Sequence, residues 1–336
     1  MRAAIVGIAG PVLDPAEVAL LRRYRPAGVI LFARNVCDPG QLLALTASLR
    51  DVLPSHAVLA IDQEGGRVAR LRPPHWRAHP SAARLGAVFA RDEDDGLRAA
   101  WLSGALIGLD CAAAGLDVVC APVLDLRMPG AHDAIGDRAY SHDPDAVARM
   151  GRATADGLLA AGVQPVAKHA PGHGRATVDS HLDLPRVGAA QDLADDLRPF
   201  AACAGLPWMM TAHLLYERLD PDWPATLSAV VIRHAIRGRI GFGGVLVSDD
   251  LAMNALSGTP GERAARAVAA GCDIAMHCSG ALPDAADVLG SVPGLSDAAL
   301  ARLAAARDMA DAARRVLDRD AMAAERDGLL ADGAIA

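Results

Sequence analysis

Aromatic residues are scarce. Phe, Trp and Tyr make up 3% of the 336 residues, so a ligand would be recognised mainly by hydrogen bonds and charge rather than by ring stacking. Long apolar runs are missing too: none reaches the roughly 18 residues that a membrane span requires. Basic residues are scattered and the formal net charge is −7, which argues against a nucleic-acid or anionic-membrane surface. The six cysteines, at 37, 111, 120, 203, 272 and 278, form no C-x-x-C pair, so a zinc knuckle or thioredoxin-like motif is not expected. Cys120 and Cys272 sit in or beside apolar runs and read as buried thiols, which fits a reducing, cytoplasmic setting. No G-x-G-x-x-G follows the first apolar run, which counts against a dinucleotide fold.

What is present is apolar and periodic. Hydrophobic residues make up 52% of the chain, enough for a substantial core. Eight short apolar runs can be picked out: Ala3–Ile8, Gly28–Phe32, Ala57–Asp62, Asp117–Val123, Gln164–His169, Pro207–His213, Gly244–Asp249 and Asp273–His277. Each has the length of a strand buried on both faces. The stretches between them are long enough for the crossover helices that parallel pairing requires. The first run, apolar after Arg2, reads as a strand, with a signal peptide as the alternative.

Helix starts support this alternation. Asp14-Pro15-x-Glu17 combines a cap, a proline at the first helical position and a reciprocal carboxylate; Asp38-Pro39 and Asp143-Pro144 are similar. Ser296-Asp297 opens an amphipathic segment running to about Leu317, and the Ala-rich stretch from 321 has no clear anchor. The fold class expected is α/β, a single (β/α)8 TIM-type barrel, with a doubly wound sheet as runner-up. The length suits one such domain, which typically needs about 250 residues.

In a barrel the active site lies at the C-terminal ends of the strands, and here those ends are polar. The third run ends in Asp62-Gln63-Glu64-Gly65-Gly66-Arg67; the fourth leads to Asp125 and then Arg138. The others end in Lys168-His169, His213, Ser248-Asp249-Asp250 and His277. Each group alone has a structural reading. Asp62 could cap a turn, and Lys168-His169 could be a salt-bridged pair at the barrel top. His213 and His277 could be hydrogen-bonded core histidines, and Asp250 could cap a helix beginning near Leu251. Pro171-Gly172-His173-Gly174 could be a tight turn, and Trp208 reads as packing rather than a sugar platform. A half-ring of such groups at one end of successive strands points instead to a pocket for a polar substrate.

The strings are more specific than the single residues. Lys168-His169-Ala170-Pro171-Gly172-His173-Gly174 followed by Asp179-Ser180-His181 resembles a signature of glycoside hydrolase family 3. So do Asp62-Gln63-Glu64-Gly65-Gly66-Arg67-Val68-x-Arg70, Ile135-Gly136-Asp137-Arg138, Met210-Thr211-Ala212-His213, Ser248-Asp249-Asp250-Leu251-x-Met253 and Gly28-Val29-Ile30-Leu31-Phe32-x-Arg34-Asn35. Order and spacing agree from about residue 5 to 280. The resemblance is greatest to the short single-domain bacterial β-N-acetylhexosaminidases of peptidoglycan recycling. Ala170, where relatives often have Phe, and Ala139-Tyr140, in place of Ser-Phe, are departures that bear on pocket shape.

That resemblance implies a barrel over 1–320 with a C-terminal tail over 321–336. It also implies a retaining exo-β-N-acetylglucosaminidase. Its substrate would be a terminal β-linked N-acetylglucosamine on 1,6-anhydro-N-acetylmuramic acid, with or without peptide. Asp249 takes the role of nucleophile, His181 transfers the proton and Asp179 orients it. Asp62, Arg70, Arg138, Lys168 and His169 hold the sugar hydroxyls. A small glycan or muropeptide is the expected partner. A monomer is expected, with no metal or other cofactor and no nucleic acid or membrane contact. The physical chemistry is consistent: a carboxylate near Lys or Arg stays ionised and can attack, and an imidazole with a pKa of about 6.5 can serve as acid and then base. The Gly172/Gly174 segment would give His181 a mobile base that closes on substrate; an identical, rigid loop in free and bound structures would count against this.

Three rivals remain. His169, His173, His181, His213, His277 and Asp249 could instead be drawn together around a metal, although Lys168 would repel a nearby cation. A non-catalytic sugar-binding protein is disfavoured by Asp249, Asp179 and His181 occurring together. A hydrolase of glucosides or of hexosaminides broadly is the third. Metal analysis of the purified protein tests the first: no stoichiometric metal is expected, and zinc needed for turnover would favour that rival.

Overall fold

The computed structural model describes residues 1–128, 130, 132–176 and 184–331. Eight parallel strands close into a barrel: β1 (Arg2–Gly7), β2 (Pro26–Leu31), β3 (Val58–Ile61), β4 (Val118–Val119), β5 (Gln164–Ala170), β6 (Trp208–Thr211), β7 (Val245–Asp250) and β8 (Ile274–His277). Each lies within or alongside one of the eight apolar runs. Closure is made by β1, whose Ala4 pairs with Ala275 on β8 while its Ile5 pairs with Gly28 on β2.

Burial on both faces explains why the runs are continuous rather than alternating. On β2, Ile30 points into the barrel with Val58, Ala60 and Trp208, whereas Val29 and Leu31 join the shell between sheet and helices. Trp208 fills the barrel interior and donates from Nε1 to Gln164 Oε1 at 2.7 Å, so it is a core residue. β4 is shorter than its run, Asp117–Val123. The regular strand ends at Val119, and beyond it irregular backbone bonds to β5 continue around Pro122, which has no N–H to donate, from Val166 N to Ala121 O and from Lys168 N to Pro122 O.

Ten α-helices occur among the described residues: α1 (Pro15–Tyr24), α2 (Pro39–Val52), α3 (Ala82–Arg91), α4 (Glu93–Ala113), α5 (Pro144–Ala160), α6 (Ala194–Ala202), α7 (Pro260–Ala270), α8 (Leu282–Ser291), α9 (Asp297–Ala313) and α10 (Arg319–Ala331). A π-helix, Val231–Arg239, lies between β6 and β7. The caps are those the sequence suggests. Asp14 accepts from Ala16 N, and Glu17 returns a bond from Asp14 N at 2.9 Å. Asp38, Asp143 and Ser296 cap α2, α5 and α9. No helix of the described residues is long and apolar enough to cross a membrane.

Two local expectations fail. No helix begins near Leu251. Asp250 Oδ1 accepts from Ala252 N and Cys278 N, both at 2.9 Å, which ties the chain into turns. The helix waits for the capping box of Thr259, Pro260 and Glu262. The C-terminal stretch is also anchored through residue 331 rather than frayed. Met322 and Ala323 of α10 pack with Leu102, Ala105 and Leu106 of α4. Arg326 is 2% exposed and bonds His79 Nδ1 at 3.1 Å, and His79 Nε2 meets Asp110 Oδ2 at 2.9 Å. Arg319 also pairs with Asp110. An alanine-rich composition hid this polar anchor.

Removing Asp110 takes the hydrogen-bond partner from buried His79 and the counter-charge from Arg319, while Arg326 keeps Asp327. Asp110→Ala is therefore expected to destabilise the protein by about 1–3 kcal/mol, seen as a lower urea midpoint at unchanged slope. An unchanged midpoint would mean that the Asp110 network adds nothing to stability.

Candidate active site

The C-terminal ends of the strands surround a cavity of ≈ 160 Å³ whose wall includes Asp62, Arg70, Arg138, Lys168, His169 and Asp249. All six sequence-assigned residues that fall within the described part of the chain meet there. Asp179 and His181 lie outside the described residues.

Local turns aim these groups. After β3, Gly65 and Gly66 adopt φ of +100° and +55°, and a Cβ on Gly65 would stand 2.3 Å from Pro80 O. Only glycine suits such backbone so close to another chain segment. The turn lets Glu64 point inward while Arg67 reaches out to Asp137 at 2.8 Å. Gln63 is fully buried; its Oε1 accepts from Arg70 N and Leu71 N and its Nε2 donates to Leu71 O. This clasp fixes the position of Arg70, whose guanidinium bonds Asp62 Oδ2 at 2.9 Å and lies over the Phe32 ring. Arg138 is brought in by a 3-10 turn, Gly136–Arg138.

At the centre, Lys168 Nζ lies 2.6 Å from Asp62 Oδ1 and 2.6 Å from Glu64 Oε1. Glu64 also receives both Nε and Nη2 of Arg138, at 2.8 and 2.7 Å. Burial would lower the Lys168 pKa, but Asp62 and Glu64 raise it above its ordinary value. Burial likewise opposes ionisation of Glu64, yet Arg138 and Lys168 hold it well below the usual carboxylate range. The network stays charged because each member is paired.

Asp249, half-buried at the end of β7, is the remaining carboxylate on the wall named by sequence. Withdrawal from water raises its pKa, but His169, His213, the Asp250 N–H and Lys168 together bring it down to about 2. Oδ1 accepts from Asp250 N at 2.8 Å; among the described residues the other oxygen accepts no hydrogen bond. Ser248 steadies the strand end, taking Met276 N and donating to Asp249 O. Cys120 also lines the cavity, and burial pushes its thiol up to about 12, so it is protonated and inert.

Sequence reasoning left two carboxylates without a role. Glu64 is the hub of the cation network. Asp125, fully buried after β4, accepts from His169 Nδ1 at 2.7 Å, His169 N at 3.2 Å and His173 N at 2.6 Å. Both were visible as strand-end acids; their partners are distant in sequence, so spacing could not reveal the pairing. His213 spans Thr226 Oγ1 at 2.8 Å and the Asp250 carbonyl at 2.9 Å. His277 lies within reach of Ser279 Oγ. These two behave as the structural histidines of the plainer reading, engaged in separate bonds rather than converging. Among the described residues no cluster of three or more His, Cys, Asp or Glu is disposed to hold a metal. Tyr140, one of the departures from the family pattern, is buried with its hydroxyl 2.8 Å from Thr154 Oγ1.

Comparison with known proteins agrees with the geometry. The model of the glycosyl hydrolase family 3 N-terminal domain matches residues 12–318. A β-hexosaminidase of Xylella fastidiosa strain 9a5c is 39% identical over 335 residues, covering 98% of this chain and 94% of the relative. That of Alkalilimnicola ehrlichii is 41% identical over 281 residues, covering 82% and 80%. Among solved structures, NagZ from Neisseria gonorrhoeae in complex with N-trifluoroacetyl-D-glucosamine superposes with a TM-score of 0.85 at 32% identity, over 98% of both chains. A family 3 β-N-acetylglucosaminidase from Paenibacillus sp. str. FPU-7 gives 0.83 at 31%, over 97% of this chain and 66% of the other. A closed parallel barrel with these charged strand ends, matched along nearly its whole length by such relatives, belongs to glycoside hydrolase family 3 and is a glycosidase of the β-hexosaminidase kind.

Proposed function

We propose that this glycosidase is a retaining exo-β-N-acetylglucosaminidase. Its substrate is a non-reducing terminal N-acetylglucosamine β-linked to 1,6-anhydro-N-acetylmuramic acid, with or without peptide, and its setting is cytoplasmic peptidoglycan recycling. The observation that carries the reading is Asp249, held ionised by its surroundings on the wall of a cavity shared with Lys168, Arg70 and Arg138. The volume is below the roughly 300–1,000 Å³ of sites for drug-sized ligands, which suits one sugar ring and removal of terminal residues. Arg70 Nε is buried with no acceptor among the described residues, a donor suited to a sugar hydroxyl. The gonococcal relative was crystallised with an N-acylated glucosamine, which supports the same class of ligand here.

In this mechanism the free carboxylate oxygen of Asp249 attacks the anomeric carbon. The C1–O bond to the aglycone breaks as His181, oriented by Asp179, gives its proton to the departing oxygen. Water then attacks C1 of the glycosyl-aspartate, His181 takes the proton, and the Asp249 carboxylate is released. Two displacements retain the β configuration. Asp62, Arg70, Arg138, Lys168 and His169 hold the hydroxyls, so that their charges and dipoles are oriented before the transition state forms. The chain acts on its substrate as a monomer, without a metal or other cofactor.

Asp249→Ala is expected to lower kcat by roughly 10⁴-fold or more without shifting the unfolding midpoint downward. A 2- or 5-fluoro sugar should label the peptide containing Asp249; a label elsewhere, or a product of inverted configuration, rejects the mechanism.

His181→Ala should slow substrates with poor leaving groups far more than activated aryl glycosides, and equal losses would contradict the proton-donor role. Because Asp249 is held at about 2, it is ionised throughout the range above about pH 4. kcat/KM on unactivated substrates should therefore fall on the alkaline side, as the donor imidazole loses its proton. That limb should vanish in His181→Ala. Paired rates on p-nitrophenyl β-glucoside and N-acetyl-β-glucosaminide decide between this reading and a glucosidase.

A further inference from the structure

We propose that Asp125 is a positioning residue that fixes the His169 proton on Nδ1 and so leaves Nε2 as an acceptor for a substrate hydroxyl. The inference rests on the sugar-binding reading of the cavity, but its first test does not.

The geometry leaves one arrangement of protons. Asp125 is completely buried, and an ionised carboxylate only accepts. Its Oδ2 stands 2.7 Å from His169 Nδ1, so that nitrogen must carry a hydrogen. On the other side of the ring, Arg138 Nη2 lies 3.5 Å from Nε2, its hydrogen-bonding neighbour among the described residues. A guanidinium has no lone pair to offer, so a hydrogen on Nε2 would face another N–H. The neutral ring with its proton on Nδ1 satisfies both neighbours. A hydroxyl between His169 and Arg138 could donate to Nε2 and accept from the guanidinium, which fixes the direction of its hydrogen.

The same carboxylate does a second thing. Its Oδ1 takes the backbone N–H groups of His169 and His173. Ring orientation and the course of the 169–173 segment are thus set by one group, itself carried on the chain after β4.

Asp125→Asn keeps the shape and reverses the instruction. The amide NH₂ facing Nδ1 drives the ring proton to Nε2, converting the acceptor into a donor opposed to Arg138. The test is a two-bond ¹⁵N–¹H correlation spectrum of ¹⁵N-histidine-labelled protein at about pH 8. The His169 signal is identified by its loss in His169→Gln. The expected result is Nδ1–H in the wild type and Nε2–H in Asp125→Asn. With that change, kcat/KM on p-nitrophenyl N-acetyl-β-glucosaminide should drop about 10- to 100-fold. A wild-type spectrum showing Nε2–H overturns the proposal whether or not the variants fold. So does an unchanged tautomer in a folded Asp125→Asn with a kinetic loss no different from that of Asp125→Ala. Fluoro-sugar labelling away from Asp249 would sink the catalytic reading and leave this tautomer assignment standing.

Discussion

Lys168 is the only lysine in the chain; every other member of its 33 Lys and Arg residues is arginine. Its ammonium lies between Asp62 and Glu64, at 2.6 Å from each, and the cavity depends on that contact. Lysine offers a compact point charge that two carboxylates can share, where the planar fork of arginine would require a wider, bidentate approach. Without it, Asp62 and Glu64 would each keep only an arginine, Arg70 and Arg138, and would lose the cation that they share. With it, the ends of β3 and β5 are joined, Glu64 is left to orient Arg138, and Asp62 is left to hold Arg70.

This arrangement makes the site dense in charge and still almost rigidly specified. Each cation is held by a carboxylate, the carboxylates are carried at or just after strand ends, and the Gln63 clasp fixes Arg70. The Lys168 ammonium and the Asp250 N–H that help to keep Asp249 ionised are already in position. Little reorganisation is needed when charge develops on a substrate, which is the usual source of the largest electrostatic contribution to catalysis. Cys120, Met210 and Met276 give the same wall an apolar part.

Much of this was legible in the sequence because the fold repeats a simple instruction. Strands buried on both faces appear as unbroken apolar runs, and their polar ends mark the open mouth of the barrel. What could not be read is what crosses between elements. Glu64 and Asp125 were visible as acids at strand ends, but their partners stand 74 and 44 positions away. β4 ends at Val119, after which its bonds to β5 become irregular around Pro122. The turns after β7 held off a helix because Asp250 is tied to β8 as well as to its own neighbours. The anchor of α10 was masked by composition: one buried arginine among alanines outweighs their weak preference for any particular surface.

That anchor also constrains the order of events during synthesis. Asp110 meets Arg319 across 209 positions, and His79 meets Arg326 across 247; barrel closure joins Ala4 to Ala275. A polypeptide emerging from the ribosome cannot complete any of these until its later segments are free. The first half must wait with polar groups exposed that the finished molecule conceals. Folding of this barrel is therefore weighted toward the end of translation, where contacts of long sequence separation form together.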